Sequence, residues 1–137
     1  LLNLLRSQRK TVVVVVHCNH VQELGGPARD ALSQLRDVGC LLYNQAVLLR
    51  GVNDDAQVLT ELCESLFDLG VQPYYLHQLD RVTGSAHFEV PLNEAAKIYK
   101  QLLIKLPGYM IPRWVKEIPE ESSKIPVNLM ENVNYFV

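Results

Sequence analysis

The amino-acid sequence predicts an α/β fold made of parallel βα repeats, on the basis of three observations. A continuous β-branched run at 11–16 is typical of a strand buried on both faces, as in parallel sheets. Strand-like and helix-like segments then alternate along the chain. The repeat length is roughly 30 residues, which is the size of a βαβ unit. This pattern predicts either a doubly wound sheet or part of a barrel, both with right-handed crossovers.

The predicted elements follow one another in a regular order. Strands are expected at 11–16, 40–49, 71–76 and 109–116, with helices between them at 27–38, 54–69 and 92–106. Asn53 or Asp54 is a good N-cap for the second helix and Asn93 for the third, because their side chains can accept from free backbone N–H groups. Gly70 ends the second helix. Pro112 places the fourth strand at an edge or an end of the sheet.

Composition excludes several classes of function. The 137 residues are enough for one domain with a sizeable core, and 48% hydrophobic with 20% charged residues is ordinary for a globular domain. A formal net charge of -2 gives no basic surface for nucleic acid. The longest apolar run is too short to cross a membrane, and no signal peptide is recognisable. We therefore expect a cytoplasmic protein that binds neither nucleic acid nor membrane.

The three cysteines have the distribution of buried, reduced thiols. Cys18, Cys40 and Cys63 are odd in number and far apart in the sequence. Such spacing is neither a disulfide framework nor a zinc or iron–sulfur motif. We expect the three side chains to pack in the core as small apolar groups.

Polar residues concentrate where the predicted strands end. These positions carry the runs His17-Cys18-Asn19-His20, Asn44-Gln45 and His77-Gln78-Leu79-Asp80, and Glu117 and Lys124 follow the last strand. In parallel α/β folds the carboxyl ends of the strands form the functional rim. Polar groups next to a core are costly unless they are paired or used. We therefore expect a functional site at this rim.

Two readings remain open for the imidazoles and amides of the rim. His17 and His20 have a spacing that can hold a metal, but no predicted helix places them on one face. As a histidine at a strand end, His17 can either bond to the backbone or contact a ligand. Asn44 and Gln45 lie inside an apolar strand, where amides must be hydrogen-bonded. They are either satisfied within the protein or bonded to the hydroxyl groups of a ligand.

The charged residues of the rim are also ambiguous when taken alone. Asp80 and Glu117 can simply cap loops or face solvent. Lys124 is an isolated loop lysine, and most such lysines are solvated surface charges. A lysine amine is, however, the side chain that forms imines with carbonyl compounds. Residues elsewhere in the chain decide between these readings.

Several runs, in matching order and with nearly matching spacing, carry a family resemblance. They are His17-Cys18-Asn19-His20, the run from Asn44 to Asp54, Pro73-Tyr74-Tyr75-Leu76 with Asp80, His87-Phe88, Gly108-Tyr109 with Pro112, and Ser123-Lys124-Ile125-Pro126. With these motifs, from about residue 12 to 129, the sequence resembles the C-terminal half of the lysine 2,3-aminomutase family. Members of that family are radical enzymes that use S-adenosylmethionine, pyridoxal 5′-phosphate and a [4Fe-4S] cluster.

The resemblance implies a domain organisation. Residues 1–129 are expected to form the C-terminal half of a partial TIM-type barrel, and 130–137 a C-terminal tail. The CxxxCxxC motif that holds the cluster lies upstream in the family, so we expect the cluster ligands outside this sequence. Half of a barrel leaves strand edges unpaired, which favours a homo-oligomer.

The resemblance also implies roles for five side chains. Lys124 matches the lysine that forms the internal aldimine with pyridoxal phosphate. Asp80 and Glu117 match carboxylates that bind the distal ammonium of the substrate L-lysine. His17 and Gln45 match residues that line the S-adenosylmethionine pocket.

The implied activity is that of an isomerase which moves the α-amino group of L-lysine to the β-carbon. A reductant such as flavodoxin or ferredoxin would supply the electron. Only 13 residues follow Lys124, which is similar to the branch that makes (R)-β-lysine for modification of elongation factor P. The sequence departs from the long enzymes at Glu120-Glu121-Ser122-Ser123, where they are rich in glycine. We expect the local phosphate contacts to differ accordingly.

A second reading belongs to another class of protein. The chain could be a non-catalytic α/β fragment or interaction domain, inactive alone because it lacks the cluster-binding half. Its polar rim would then be purely structural.

Overall fold

A computed structural model describes residues 1–79, 86–118 and 120–127. The strands among these residues are β1 (Val13–His17), β2 (Leu41–Leu48), β3 (Val71–Gln78), β4 (Arg113–Lys116) and β5 (Ile125–Pro126). The helices are α1 (Leu2–Arg6), α2 (Gly26–Asp37), α3 (Ala56–Asp68) and α4 (Leu92–Lys105), with short 3₁₀ turns at Val21–Glu23, Ala86–Phe88 and Gly108–Met110. The predicted alternation of strands and helices is confirmed.

The order of the strands decides between the two predicted architectures. The sheet runs β1-β2-β3-β4-β5, and each of the first four strands is parallel to its neighbour. A doubly wound sheet would reverse its order at a switch point, whereas a barrel keeps sequence order. The fold is therefore α/β with the winding of a partial barrel, as predicted. The last strand, β5, was not predicted, and it runs antiparallel to β4.

Helices α2, α3 and α4 cover one face of the sheet, and the core lies between them and the strands. In β2 the side chains alternate, with Leu42, Asn44, Ala46 and Leu48 buried and their neighbours less so. Large fully buried side chains of the core include Leu48, Leu59, Leu62, Leu66, Leu76 and Leu102. Each buried leucine contributes about 1.5–3 kcal/mol of transfer free energy, so this face fixes the register of the sheet.

The opposite face of the sheet is partly open, which corrects the prediction that the first strand is buried on both faces. Val13 is 51% exposed and Val15 is 40% exposed. Both pair in register with β2 residues of the same face, Leu41 and Tyr43. No described element covers this face at β1, and an all-valine run gives no alternation from which the open side could be read.

The N-cap of α3 is Asp55, not the predicted Asn53 or Asp54. The Oδ1 atom of Asp55 accepts from the backbone N–H groups of Gln57 at 2.7 Å and Val58 at 3.2 Å. Asn53 and Asp54 are engaged earlier, because their side chains bond the backbone of the β2–α3 loop. Three consecutive residues able to cap made the sequence ambiguous here.

The third long helix and the fourth strand also differ from prediction. The N-cap of α4 is Pro91, with no side-chain hydrogen bond, so the prediction of Asn93 as the cap was wrong. The segment predicted as a strand at 109–116 begins as a 3₁₀ turn at Gly108–Met110. The strand Arg113–Lys116 starts directly after Pro112, since proline has no N–H for the ladder.

The expectation of buried, reduced cysteines is confirmed. Cys18, Cys40 and Cys63 are free and buried. Burial raises the pKa of the Cys63 thiol to about 12 and that of Cys18 to about 11, so neither is a reactive thiolate near neutral pH. The predicted tail at 130–137 lies outside the described residues. None of the helices in the described ranges is both long and apolar enough to cross a membrane.

Candidate active site

A cavity of about 630 Å³ lies at the carboxyl ends of β2, β3 and β4. The described residues that form its wall are Val47, then His77, Gln78 and Leu79 at the end of β3, and then Glu117, Ile118, Glu121, Ser122, Ser123 and Lys124. Small-molecule sites usually have volumes of about 300–1,000 Å³. The cavity therefore has the size of a ligand site and lies at the rim where the sequence predicts one.

Lys124 and Glu117 meet at this cavity. The Lys124 Nζ atom lies 3.4 Å from Oε1 of Glu117. The antiparallel pair Lys116↔Ile125 explains the contact, because Glu117 and Lys124 are the next residues outward on the two strands. Exposed ion pairs contribute only about 0–1 kcal/mol to stability, and the Glu117 side chain is 69% exposed. The pair therefore adds little to the stability of the fold. It shows instead that the Glu117 carboxylate can hold a cation at the cavity.

An aromatic ring also lies close to the Lys124 amine. The Lys124 Nζ atom lies 5.6 Å from the centroid of the Tyr75 ring. A cation over a ring face at this distance is weakly attracted by the ring quadrupole. With a side chain that is 33% exposed, the Lys124 amine is held in place and still accessible.

Gln45 and His77 form a hydrogen-bonded pair on the open face of the sheet. The His77 Nε2 atom lies 3.1 Å from Oε1 of Gln45. Burial lowers the pKa of His77; Glu117 opposes this shift, and the nearby Lys124 and His17 side chains reinforce it. The imidazole is therefore neutral at neutral pH.

Asn44, which lies beside Gln45 in the sequence, has a different role. Its side chain is buried, its Oδ1 atom accepts from the N–H of Cys18 at 2.8 Å, and its Nδ2 atom donates to the carbonyl of Cys18 at 3.0 Å. These two bonds satisfy the amide and continue the β1–β2 ladder past the end of β1. Of the two readings left open by the sequence, Asn44 is structural, whereas Gln45 lies on the open face and contacts His77, which lines the cavity.

Two further asparagines fix the rim next to the cavity. Asn19 accepts from the N–H of Val47 at 2.8 Å. Asn53 donates to the carbonyls of Asn19 and Val47, both at 2.9 Å, and accepts from the N–H of Leu49 at 2.8 Å. Buried networks of this kind are rigid when every group is satisfied. They hold the ends of β1 and β2 in one arrangement.

The two rim histidines of the first strand separate in the structure. His17 pairs in register with Gln45 and is exposed on the open face. His20 accepts from the N–H of Gln22 at 3.1 Å and caps a short turn together with Glu23. Within the described ranges, no cluster of three or more His, Cys, Asp or Glu side chains could hold a metal ion. His20 is therefore structural, and His17 stays a candidate for ligand contact.

Comparison with known proteins finds relatives that share one enzyme name. No protein-family model matches the chain. It is 49% identical over 118 residues to the L-lysine 2,3-aminomutase of Escherichia coli, covering 86% of this chain and 34% of that protein. The enzymes of the same name from Buchnera aphidicola and Clostridium subterminale are 40% and 37% identical, over 94% and 93% of this chain and 38% and 30% of theirs.

The chain belongs to the lysine 2,3-aminomutase family. The resemblance found in the sequence is thereby confirmed. The chain spans about a third of the length of the curated relatives it matches, between 30% and 38% for the three named above. It therefore matches one part of a longer aminomutase.

The structure groups four of the five predicted site residues of this chain in two pairs. Lys124 and Glu117 are in contact at the cavity, and His17 and Gln45 are neighbours in register on β1 and β2. Asp80 lies outside the described residues. It follows Leu79, which lines the cavity, by one position in the chain.

Two residues of the site received no specific role from the sequence, where His77 was only part of the polar rim and Tyr75 only part of a motif of the family resemblance. Tyr75 contacts Lys124, and His77 bonds Gln45. The period of two in β3 could have found both, because Tyr75 pairs with Gln45 and His77 lies on the same face. A β-bulge between Asn44 and Gln45 shifts the β2–β3 register at this point, and no residue pattern in the sequence indicates it.

The two adjacent amides lead to a stability prediction. Asn44→Ala leaves the buried N–H and carbonyl of Cys18 without partners, so the free energy of unfolding of the complete protein should fall by about 2–4 kcal/mol. Gln45→Ala, the matched control, removes a half-buried amide and should cost less than about 1 kcal/mol. Urea denaturation measures both. Equal losses in the two variants would contradict the structural role of Asn44.

Proposed function

We propose that this chain is the part of a lysine 2,3-aminomutase that holds pyridoxal 5′-phosphate through Lys124 and receives L-lysine beside it. The complete protein would move the α-amino group of L-lysine to the β-carbon. The position of the Lys124 amine carries this proposal, since it faces a cavity of about 630 Å³ and lies beside a carboxylate and an aromatic ring.

The residues around Lys124 fit pyridoxal phosphate. Among the described residues that line the cavity, Lys124 is the single amine. Ser122 and Ser123 line the same wall and offer hydroxyl donors to a phosphate, at the position where the long enzymes are rich in glycine. When bound, pyridoxal phosphate supplies a conjugated ring that delocalises the unpaired electron during migration of the amino group. Lys124 would anchor that ring at the carboxyl ends of β3 and β4.

Glu117 is proposed to bind the distal ammonium of L-lysine. Its carboxylate already holds a lysine nitrogen inside the cavity, at 3.4 Å from Lys124 Nζ. A substrate ammonium presents the same charge and the same donor geometry. Once the Lys124 nitrogen is committed to the cofactor, Glu117 is available to a second ammonium. A charge-assisted hydrogen bond of this kind contributes about 1.5–3 kcal/mol.

Asp80 is proposed as the second carboxylate, on the basis of the family resemblance. It comes directly after the stretch of β3 and Leu79 that forms the cavity wall. Two carboxylates at the far end of a flexible chain fix the position of its β-carbon, so their contribution is orientation rather than proton transfer.

His17 and Gln45 are proposed to contact S-adenosylmethionine. They are adjacent in register on the face of the sheet that no helix covers. An imidazole and a carboxamide suit the hydroxyl and carboxylate groups of that ligand. When bound next to a reduced [4Fe-4S] cluster, S-adenosylmethionine supplies the radical that abstracts hydrogen from the substrate.

The described part of the chain does not fit the cluster itself. Cys18, Cys40 and Cys63 are buried within the hydrophobic core, and no described group of side chains could hold a metal. We infer that the cluster ligands belong to an upstream part of the complete protein, as the family resemblance implies. A reductant such as flavodoxin or ferredoxin would act there.

The open face of the sheet supports a role within a larger barrel. Val13, Val15 and Leu41 are 51%, 40% and 48% exposed, and they form an apolar strip along β1 and β2. Within the described residues, β1 pairs with β2 alone. We infer that the remaining strands of the complete aminomutase cover this strip and leave the polar ends of the strands around the ligands.

The most specific part of the proposal concerns the use of the product. We infer that β-lysine serves the modification of elongation factor P, as in the branch of the family suggested by the sequence resemblance. The homo-oligomeric state and the cytoplasmic location expected from the sequence stay predictions.

Replacing the anchor tests the cofactor assignment. In the complete protein mixed with pyridoxal phosphate, Lys124→Ala should abolish the imine absorbance, because no other described amine lines the cavity. Lys116→Ala on the neighbouring strand is the control and should retain the band. An imine band that persists in Lys124→Ala would show that the cofactor is held elsewhere.

Replacing the carboxylates tests the substrate assignment. Glu117→Gln and Asp80→Asn should each raise the lysine concentration needed for half-maximal rate by about 10- to 100-fold, since each removes one charge-assisted bond. Cleavage of S-adenosylmethionine by reductant in the absence of lysine should be unchanged. Glu120→Gln, an exposed carboxylate on the same segment, is the control. Equal damage to both reactions would remove the ammonium-binding role.

A further inference from the structure

The two ends of the Gln45 carboxamide offer opposite hydrogen-bonding chemistry to a ligand. Its oxygen can only accept and its nitrogen can only donate. The oxygen lies 3.1 Å from Nε2 of His77, which fixes which end faces the imidazole. Within the described residues, the amide nitrogen of Gln45 makes no hydrogen bond. Its two N–H groups are therefore the part of Gln45 that a ligand can use.

His77 is suited to hold this amide in one orientation. It lies on β3 and Gln45 on β2, and the two strands pair in register from Gln45 to Leu48. The Tyr75 ring flanks the imidazole, with the two ring centroids 5.7 Å apart. To donate to an amide oxygen, the imidazole must carry its proton on Nε2. Both the backbone pairing and the neighbouring ring therefore limit the freedom of His77.

The charge of His77 also suits a site that binds cations. Burial lowers its pKa, and the nearby Lys124 and His17 side chains act in the same direction, against Glu117. A neutral imidazole donates from Nε2 without adding a further positive charge beside Lys124. S-adenosylmethionine is itself a sulfonium cation, so a neutral donor avoids repulsion at this place.

We propose that His77 is a positioning residue for S-adenosylmethionine: it holds the Gln45 oxygen so that the amide nitrogen donates to oxygen atoms of the ligand. The inference rests on the proposed function, which places Gln45 in the S-adenosylmethionine pocket. His77 acts through Gln45 and needs no contact with the ligand itself. Without it the carboxamide rotates, and its oxygen faces the ligand's acceptors for part of the time.

The expected effect follows from the loss of one hydrogen bond. Such a bond contributes about 0.5–1.5 kcal/mol, so His77→Phe in the complete protein should weaken S-adenosylmethionine binding by about three- to tenfold. His77→Gln should restore most of the affinity, because its amide N–H can occupy the place of Nε2. An imine with pyridoxal phosphate should still form in both variants, since Lys124 is unchanged, although its absorbance maximum can shift because His77 lines the same cavity.

A double-mutant cycle tests the proposal. The dissociation constant of S-adenosylmethionine is measured by equilibrium dialysis for the unchanged complete protein, His77→Phe, Gln45→Leu and the double variant. Because His77 acts through Gln45, His77→Phe should have no further effect in the Gln45→Leu background. Additive effects of the two replacements, or unchanged binding in His77→Phe, would overturn the positioning role while leaving the proposed function intact.

Two other outcomes distinguish a failure of this inference from a failure of the proposed function on which it rests. Unchanged binding in Gln45→Leu would overturn the proposed pocket and the role of His77 together. Loss of both S-adenosylmethionine binding and the imine absorbance in His77→Phe, without rescue in His77→Gln, would overturn the inference in favour of a general structural role.

Discussion

Helices α2, α3 and α4 pack on one face of a mainly parallel sheet whose strands run in sequence order. The positions of the described candidate site residues depend on this one-sided packing. Buried leucines of β2 and β3 hold the register, because a slip by one residue would turn each of them to the open face, away from the buried leucines of α3. The same alternation that buries Leu76 directs Tyr75 and His77 to the open face of the sheet. The energy of the core therefore determines the geometry of the site.

Local hydrogen bonds then shape the rim that the sheet provides. Asn44 and Asn53 tie the ends of β1 and β2 to the loops that follow them. The short antiparallel return of β5 against β4 brings Lys124 back beside Glu117. Neither these asparagine hydrogen bonds nor the β4–β5 pair adds much apolar surface to the core. Together they place an amine, a carboxylate and an imidazole around one cavity, and this arrangement suits the chemistry of an aminomutase.

Periodicity was sufficient to predict the order of the elements and the α/β class, because buried faces leave a period of two or 3.6 in the sequence. It could also have separated Asn44 from Gln45, since adjacent strand residues face opposite sides. Local competition limited the rest: Asp55 caps α3 although two earlier residues were equally able, and the two-residue β5 is too short for any pattern. Lys124 looks like a surface charge by composition, and from the sequence only the family resemblance suggests the role proposed for it.

The central claim is that Lys124 anchors a carbonyl cofactor within the polar rim. The most direct measurement is chemical trapping in the complete protein, followed by peptide mapping. Pyridoxal phosphate is added, the imine is reduced with borohydride, and the modified peptide is identified by mass spectrometry. The account predicts a phosphopyridoxyl group on Lys124 in the peptide that contains Ser123-Lys124-Ile125. Specific modification of another lysine, such as Lys116, with Lys124 left unmodified, would contradict it.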